Sequence, residues 1–262
     1  MATTTSTSQY SEPPPYEDID AWVRYYRDFW GINTVPAPTQ DKGKDEKDRR
    51  YSWIPWQPYQ NQPISDEIQE SYIRNGEYTS RQGLGLLPGK VWFGPNKDKW
   101  LVAIDGDNET AKNAVCEMFD CETLEQVTAK GVVVEQHTED APHKAHFYFY
   151  SDTHFHNLPG VKSRKAGDKV YEFLIKDNKF PAVEIKCAGG GVQYPTPSMH
   201  ADGYRYRQTA GSPPVPTLCL SELEAANVMQ KLENILNHYG DSYLEYKSAA
   251  DGKTALPTIE EM

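Results

Sequence analysis

Aromatic residues recur at helical spacing early in the chain. Trp22, Tyr25, Tyr26 and Phe29 share one face of a helix that Asp18 or Asp20 can cap and Gly31 ends. Ile32–Val35 then predicts a short strand, and a second helix starts at Ser65, with Asp66 and Glu67 in the turn where carboxylates suit the helix dipole. Beyond this the period shortens. Gly83–Leu87, Lys99–Ile104, Val132–Gln136, Ala145–Tyr150, Lys169–Ile175 and Ala182–Lys186 read as strands from their β-branched and aromatic content. Asn108–Phe119 interrupts them as a helix with Ala111, Ala114, Val115 and Met118 on one side. Ser221-Glu-Leu-Glu224 is a capping box opening a last helix to about His238, with Leu223, Ala226, Met229 or Gln230, Leu232 or Glu233, and Leu236 as its packing stripe. Strands cluster and outnumber helices, so the pattern predicts an α+β fold, a mixed or antiparallel sheet with flanking helices.

The ends differ from the middle. Residues 1–20, 39–50 and 247–262 are almost free of large aliphatics, and the first carries a Thr/Ser-rich stretch followed by Pro13-Pro14-Pro15. The expected organisation is a disordered arm over 1–18, a folded body over 19–215, a helical segment over 216–246 and a disordered tail over 247–262. Lys42 to Arg50 is a mixed-charge run, expected as a loop. The overall apolar share of 38% lies below the roughly 45–50% of an average domain, and these flanks account for the deficit.

A net charge of −11 argues against simple coating of DNA. Between Gly160 and Arg207, however, nine Lys/Arg face five Asp/Glu, a basic stretch inside an acidic chain. Cys116, Cys121, Cys187 and Cys219 show no metal or disulfide spacing and read as reduced structural thiols. The sequence has neither a secretory signal pattern nor an apolar run long enough for a membrane span, so a soluble cytoplasmic chain is expected.

Three segments carry candidate chemistry. Leu101-Val-Ala-Ile-Asp105-Gly-Asp107 is an apolar strand ending in two carboxylates at i and i+2, on one side of the strand. Such a pair repels itself unless a cation such as Mg²⁺ or Mn²⁺ intervenes, though the same residues also suit a plain turn into the Asn108 helix. In Pro142-His143-Lys144-Ala145-His146-Phe147, His146 opens a strand with its ring opposite Phe147 and Phe149. In Val183-Glu184-Ile185-Lys186, Glu184 faces away from two apolar neighbours, and Gly189, Gly190 and Gly191 follow, permitting a close backbone approach or a simple turn.

Taken in order, these segments resemble the catalytic core of the archaeo-eukaryotic primase superfamily, most nearly the bifunctional DNA primase-polymerase domains of archaeal plasmids, viruses and bacterial mobile elements. The family's D-x-D strand is matched by Asp105 and Asp107, its s-x-H by His146, and its later apolar–acid strand by Glu184. Pro195-Thr-Pro197-Ser198-Met-His200 and Gly203-Tyr-Arg-Tyr206 are similar to the segments that follow. Ile54-Pro-Trp56-Gln and Gly83 to Gly89 are similar to segments upstream. The match runs from about Trp22 to Arg207. Lys144 stands where the family usually has Ser, Gly106 where an apolar residue is common, and Glu184 where Asp is commoner.

The resemblance implies an RRM-like palm as the catalytic domain over 19–215. It implies Asp105, Asp107 and Glu184 as ligands of Mg²⁺ or Mn²⁺, with His146 as a catalytic partner on the incoming triphosphate. Lys144, Ser198 and His200 would line the nucleotide pocket. Lys186, Arg205 and Arg207 would meet phosphates of template or triphosphate, with Tyr204 and Tyr206 interleaved for base stacking. Partners would be a DNA template and primer, a dNTP or NTP, and a helicase or accessory helical domain in cis or in trans. No G-x-x-x-x-G-K-[S/T] occurs in the sequence given. Two other readings stay open: a metal enzyme built on His154, His156 and an acid such as Glu172, and a non-catalytic nucleic-acid-binding module.

Overall fold

The computed structural model describes residues 12–38, 54–136, 144–155, 168–174, 183–187, 192–200, 203–238 and 243–248. Helix α1 (Ile19–Tyr25) starts where the Asp18 side chain accepts from the Ala21 amide. It continues as a π-helical turn, Tyr26–Trp30, and stops at Gly31 with φ +71°. A Cβ on Gly31 would stand 2.2 Å from the Phe93 carbonyl oxygen, so both conformation and space require glycine there. Strand β1 is Thr34–Pro36, displaced by two residues from the predicted start at Ile32. Helices α2 (Asp66–Arg74), capped by Ser65, and α3 (Glu77–Arg81) follow.

Next come β2 (Leu84–Leu86), β3 (Gly89–Lys90), β4 (Trp100–Gly106) and α4 (Glu109–Met118), the last capped by the Asn108 side chain. Helix α5 (Leu124–Ala129) was not predicted, although Thr123 and Gln126 form a complete capping box. The chain continues through β5 (Val133–Gln136), β6 (Ala145–Ser151), β7 (Asp168–Leu174), β8 (Val183–Lys186), β9 (Arg207–Gln208) and β10 (Cys219–Leu220). It ends with α6 (Glu222–His238) and β11 (Tyr243–Ser248). The last strand pairs with β7, in a region expected to hold only helix and tail.

The main sheet runs β11-β7-β8-β4-β6-β5-β9, with β3 on β4 and β10 on β6. All these pairings are antiparallel except that of β10 with β6, and β1–β2 forms a separate antiparallel pair. The fold is therefore the expected α+β arrangement with a mixed sheet flanked by helices.

Strand alternation divides the core in two. Val102, Ile104, Val134, Phe147, Phe149, Val183 and Ile185 pack with α4 and α6 on one face. Leu101, Ala103, Val133, Tyr148 and Tyr150 pack with Trp22, Tyr26 and Trp30 on the other. Helix α6 buries Ala225, Met229, Leu232 and Ile235, whereas Leu223 is 71% exposed. Met229 and Leu232 are buried as expected and Ala226 packs partly buried beside them, so only Leu223 of the described stripe points outward, and this helix closes the core. Among the described residues no helix is long and apolar enough to cross a membrane.

Candidate active site

The site is one row of side chains crossing four strands. Glu184 of β8 lies opposite Asp105 of β4, Asp105 opposite His146 of β6, and His146 opposite Glu135 of β5. Directly paired residues share a face of the sheet. Each of these polar positions alternates with apolar residues that belong to the α4–α6 side, so burial of that side fixes the polar row on the other. Asp107 follows one residue after the end of β4, just before the Asn108 cap of α4.

The ionic contacts knit the row together. Lys186 Nζ lies 3.0 Å from Glu184 Oε2, 3.7 Å from Asp105 Oδ2, and donates to Gln193 Oε1 at 2.7 Å. Lys144 Nζ donates to Asp107 Oδ1 at 3.3 Å. His146 Nε2 is 3.4 Å from Asp105 Oδ1, and its Nδ1 is 3.5 Å from Glu135 Oε2. Glu135 is itself fully buried and accepts from the Tyr148 hydroxyl at 2.8 Å and the Thr196 amide at 2.9 Å. The Tyr206 ring stacks on His146 with centroids 5.1 Å apart and planes 25° from parallel.

Protonation follows from these neighbours. Burial alone would lower the His146 pKa, but the charge and hydrogen bonding of Asp105 and Glu135 outweigh it and raise it to about 9. Burial also opposes the Lys186 charge, and Glu184 and Asp105 again win, holding it above the ordinary lysine value. The Asp107 carboxyl is raised by burial first and by the Asp105 charge next, with Lys144 pulling it back.

The other candidate residues are placed as follows. Lys186, assigned to phosphate on template or triphosphate, is buried among the carboxylates. Tyr206, assigned to base stacking, is 2% exposed and lies against His146. Ser198 is also buried: its hydroxyl donates to the Leu84 carbonyl at 2.9 Å and accepts from the Leu84 amide at 3.2 Å, so it clips two segments together rather than lining an open pocket. Arg205 donates to the Pro197 carbonyl at 2.8 Å. His200 and Tyr204 stack at 4.5 Å, both partly exposed. Arg207 is exposed beside the Tyr16 ring.

Glu172 lies opposite Glu184 in register, whereas the His154 ring packs against Trp100, so the described parts of the alternative histidine site do not coincide. His137, His143, His156, Gly189, Gly190 and Gly191 lie outside the described residues, as do Lys42 to Arg50 and most of both predicted tails.

Glu135 and Gln193 escaped the sequence reading. Glu135 had a readable signal, an acid closing the apolar run Val132–Val134, as Glu184 does within its own strand. Gln193 had none. Its neighbours Val192 and Tyr194 join Ile54, Pro55, Trp56 and Gln57 in lining a cavity of about 630 Å³.

Among the described residues no group of three His, Cys, Asp or Glu side chains is drawn together as a finished metal cage. The donor chemistry still fits a hard divalent ion. Asp105, Asp107 and Glu184 offer carboxylate oxygens; burial raises the Asp107 pKa first, and the further push from Asp105 and Glu184 is a repulsion that a cation relieves.

Carboxylates, a histidine and two lysines thus cluster at the end of a central strand in an α+β sheet. The chain belongs to the bifunctional DNA primase/polymerase, N-terminal family, whose match spans residues 31–223. That family carries DNA primase/polymerase-type nucleotidyl transfer, acts on DNA and nucleotides, and typically uses divalent metal ions. No curated protein matches the chain.

Proposed function

We propose that this chain is a template-directed DNA primase and polymerase that transfers a nucleotidyl group from a dNTP or NTP to a 3′-hydroxyl, in replication or repair. The observation that carries the reading is the register: Glu184, Asp105 and His146 stand side by side on three adjacent strands, with Asp107 two residues on. Asp105, Asp107 and Glu184 would hold Mg²⁺ or Mn²⁺, which supplies activation of the attacking hydroxyl and charge stabilisation on the α-phosphate and pyrophosphate. His146, cationic near neutral pH, and Lys144 then receive the triphosphate. Tyr206 and Glu135 hold the imidazole at a fixed angle. Arg207 and Tyr204 face the nucleic acid, and His200 lies behind Tyr204. The catalytic domain is assigned to 19–215, with unwinding left to a helicase in cis or in trans.

Extension of a labelled primer on a DNA template tests this, with dNTPs and either metal, comparing the wild type with Asp105→Ala/Asp107→Ala. Extension by the wild type alone is the expected result. Equal extension by both proteins overturns the site assignment. No extension by folded wild type with either metal favours a nucleic-acid-binding module instead.

A further inference from the structure

Lysine is an unusual resident among three carboxylates, and side-chain exposure along the cluster is graded. It rises from 11% at Lys186 to 14% at Asp105, 24% at Glu184 and 35% at Asp107. Lys186 therefore occupies the inner end and Asp107 the outer. The ammonium is not simply folded over a surface acid. Gln193, 2% exposed, accepts its hydrogen bond at 2.7 Å and fixes it between Glu184 and Asp105. Gln193 is in turn fixed by paired backbone hydrogen bonds with Leu86, at 2.8 and 2.9 Å. The positive charge is thus built into the fold from two sides.

We propose that Lys186 is a permanent counter-cation of the carboxylate cluster, which stabilises the metal-free protein and weakens its hold on a divalent ion. This rests on reading Asp105, Asp107 and Glu184 as the metal ligands. A fixed ammonium within 4 Å of two of them cancels part of the field that would attract the ion, and it excludes the ion from the inner side of Asp105. The open ligand positions are then those toward Asp107. An ion entering there meets the fixed Lys186 charge in addition to the more exposed Lys144 and the imidazole of His146, and the Lys186 share of that repulsion is worth about an order of magnitude in affinity at the screening typical of partly buried sites. The lysine thus leaves the site dependent on the triphosphate, whose own charge adds the missing attraction.

Mn²⁺ titration of the protein free of nucleotide and DNA, followed by the electron paramagnetic resonance of unbound Mn²⁺, tests the proposal without reference to activity. Lys186→Met, of matching length without charge, should bind Mn²⁺ about tenfold or more tightly than the wild type. Lys186→Arg should bind like the wild type. Lys186→Gln, which keeps hydrogen-bonding capacity toward Glu184 and Gln193, provides the same charge removal if the methionine variant does not fold. Wild-type affinity in both neutral variants overturns the role of Lys186. Binding unaffected by Asp105→Asn/Asp107→Asn, in wild type and Lys186→Met alike, overturns the carboxylate reading itself.

Discussion

Glu135 lies with Oε2 3.5 Å from Nδ1 of His146, on the opposite side of the ring from Asp105. The imidazole is therefore held between two carboxylates, and this gives a pH dependence with a definite sign. Burial opposes the charge, the carboxylates outweigh it, and the folded pKa rises from 6.5 to about 9. A raised folded pKa contributes stability that is complete below the unfolded value and is lost as pH climbs through the folded one. Metal-free protein should accordingly lose melting temperature between about pH 6.5 and 9, to a degree that His146→Gln abolishes. An NMR titration of the imidazole should find its midpoint well above that of an exposed histidine, and Glu135→Gln should lower it.

Glu184→Gln keeps shape and removes one charge beside Asp105. In the proposed role of Glu184 as a metal ligand its loss costs several kcal/mol of transition-state stabilisation, so nucleotide incorporation should fall by about 10³-fold or more while the circular dichroism spectrum is unchanged. Single-turnover primer extension measures the drop.

Arg207 is exposed at the edge of the sheet and Arg205 is tied to the Pro197 carbonyl. Arg207→Ala should weaken primer–template binding across all sequences and reduce the slope of log affinity against log salt by about 1, as expected for one lost phosphate contact. Fluorescence anisotropy at several salt concentrations would read the slope. Arg205→Ala should instead lower thermal stability, because it frees a carbonyl in the loop that carries Ser198.

Phe149 is wholly buried, edge-on to Phe119 at 5.3 Å and beside Phe155 at 5.8 Å. Phe149→Ala should cost about 3–5 kcal/mol in a urea unfolding experiment, since the two remaining rings cannot close the space it leaves. Gly106→Ala should have the opposite sign. A Cβ there would meet nothing nearer than 3.4 Å, at the Lys112 amide nitrogen. The gain should be roughly 0.4–1 kcal/mol, read in the same experiment, with nucleotide incorporation retained.

The central strands were legible for two reasons: β4 and β6 are rich in β-branched and aromatic residues buried on both faces, and β8 alternates Val183-Glu184-Ile185-Lys186. Helix caps were legible locally at Asp18, Ser65, Asn108 and Ser221. The six residues of α5 offer only Leu124 and Val127 as large apolar groups, too few for a period, and the two-residue strands β3, β9 and β10 exist only through their partners. Strand β11 is a pairing with β7, which nothing within Tyr243–Ser248 announces. The aligned acids and His146 could be picked out from their order along the chain. The burial of Lys186, Ser198 and Tyr206 could not, because Glu184-Ile-Lys186, Pro197-Ser198 and Tyr204-Arg-Tyr206-Arg read alike whether those side chains face solvent or the protein.

The family match begins at residue 31, immediately after four rings that are at most 1% exposed: Trp22, Tyr25, Tyr26 and Trp30. Trp30 stands edge-on to Tyr148 at 5.3 Å, and Tyr148 donates to the Glu135 that braces His146. The Tyr26 hydroxyl reaches the Thr196 carbonyl, whose own amide binds the same Glu135. A chain trimmed to the shared span would keep every candidate ligand and lose the packing beside them on the same sheet face. The aromatic half of that face, Tyr148 and Tyr150 included, would lie open to water, inviting aggregation, and the histidine's brace would lose its footing. The N-terminal helix thus works as foundation for the site, although it contributes no atom to it.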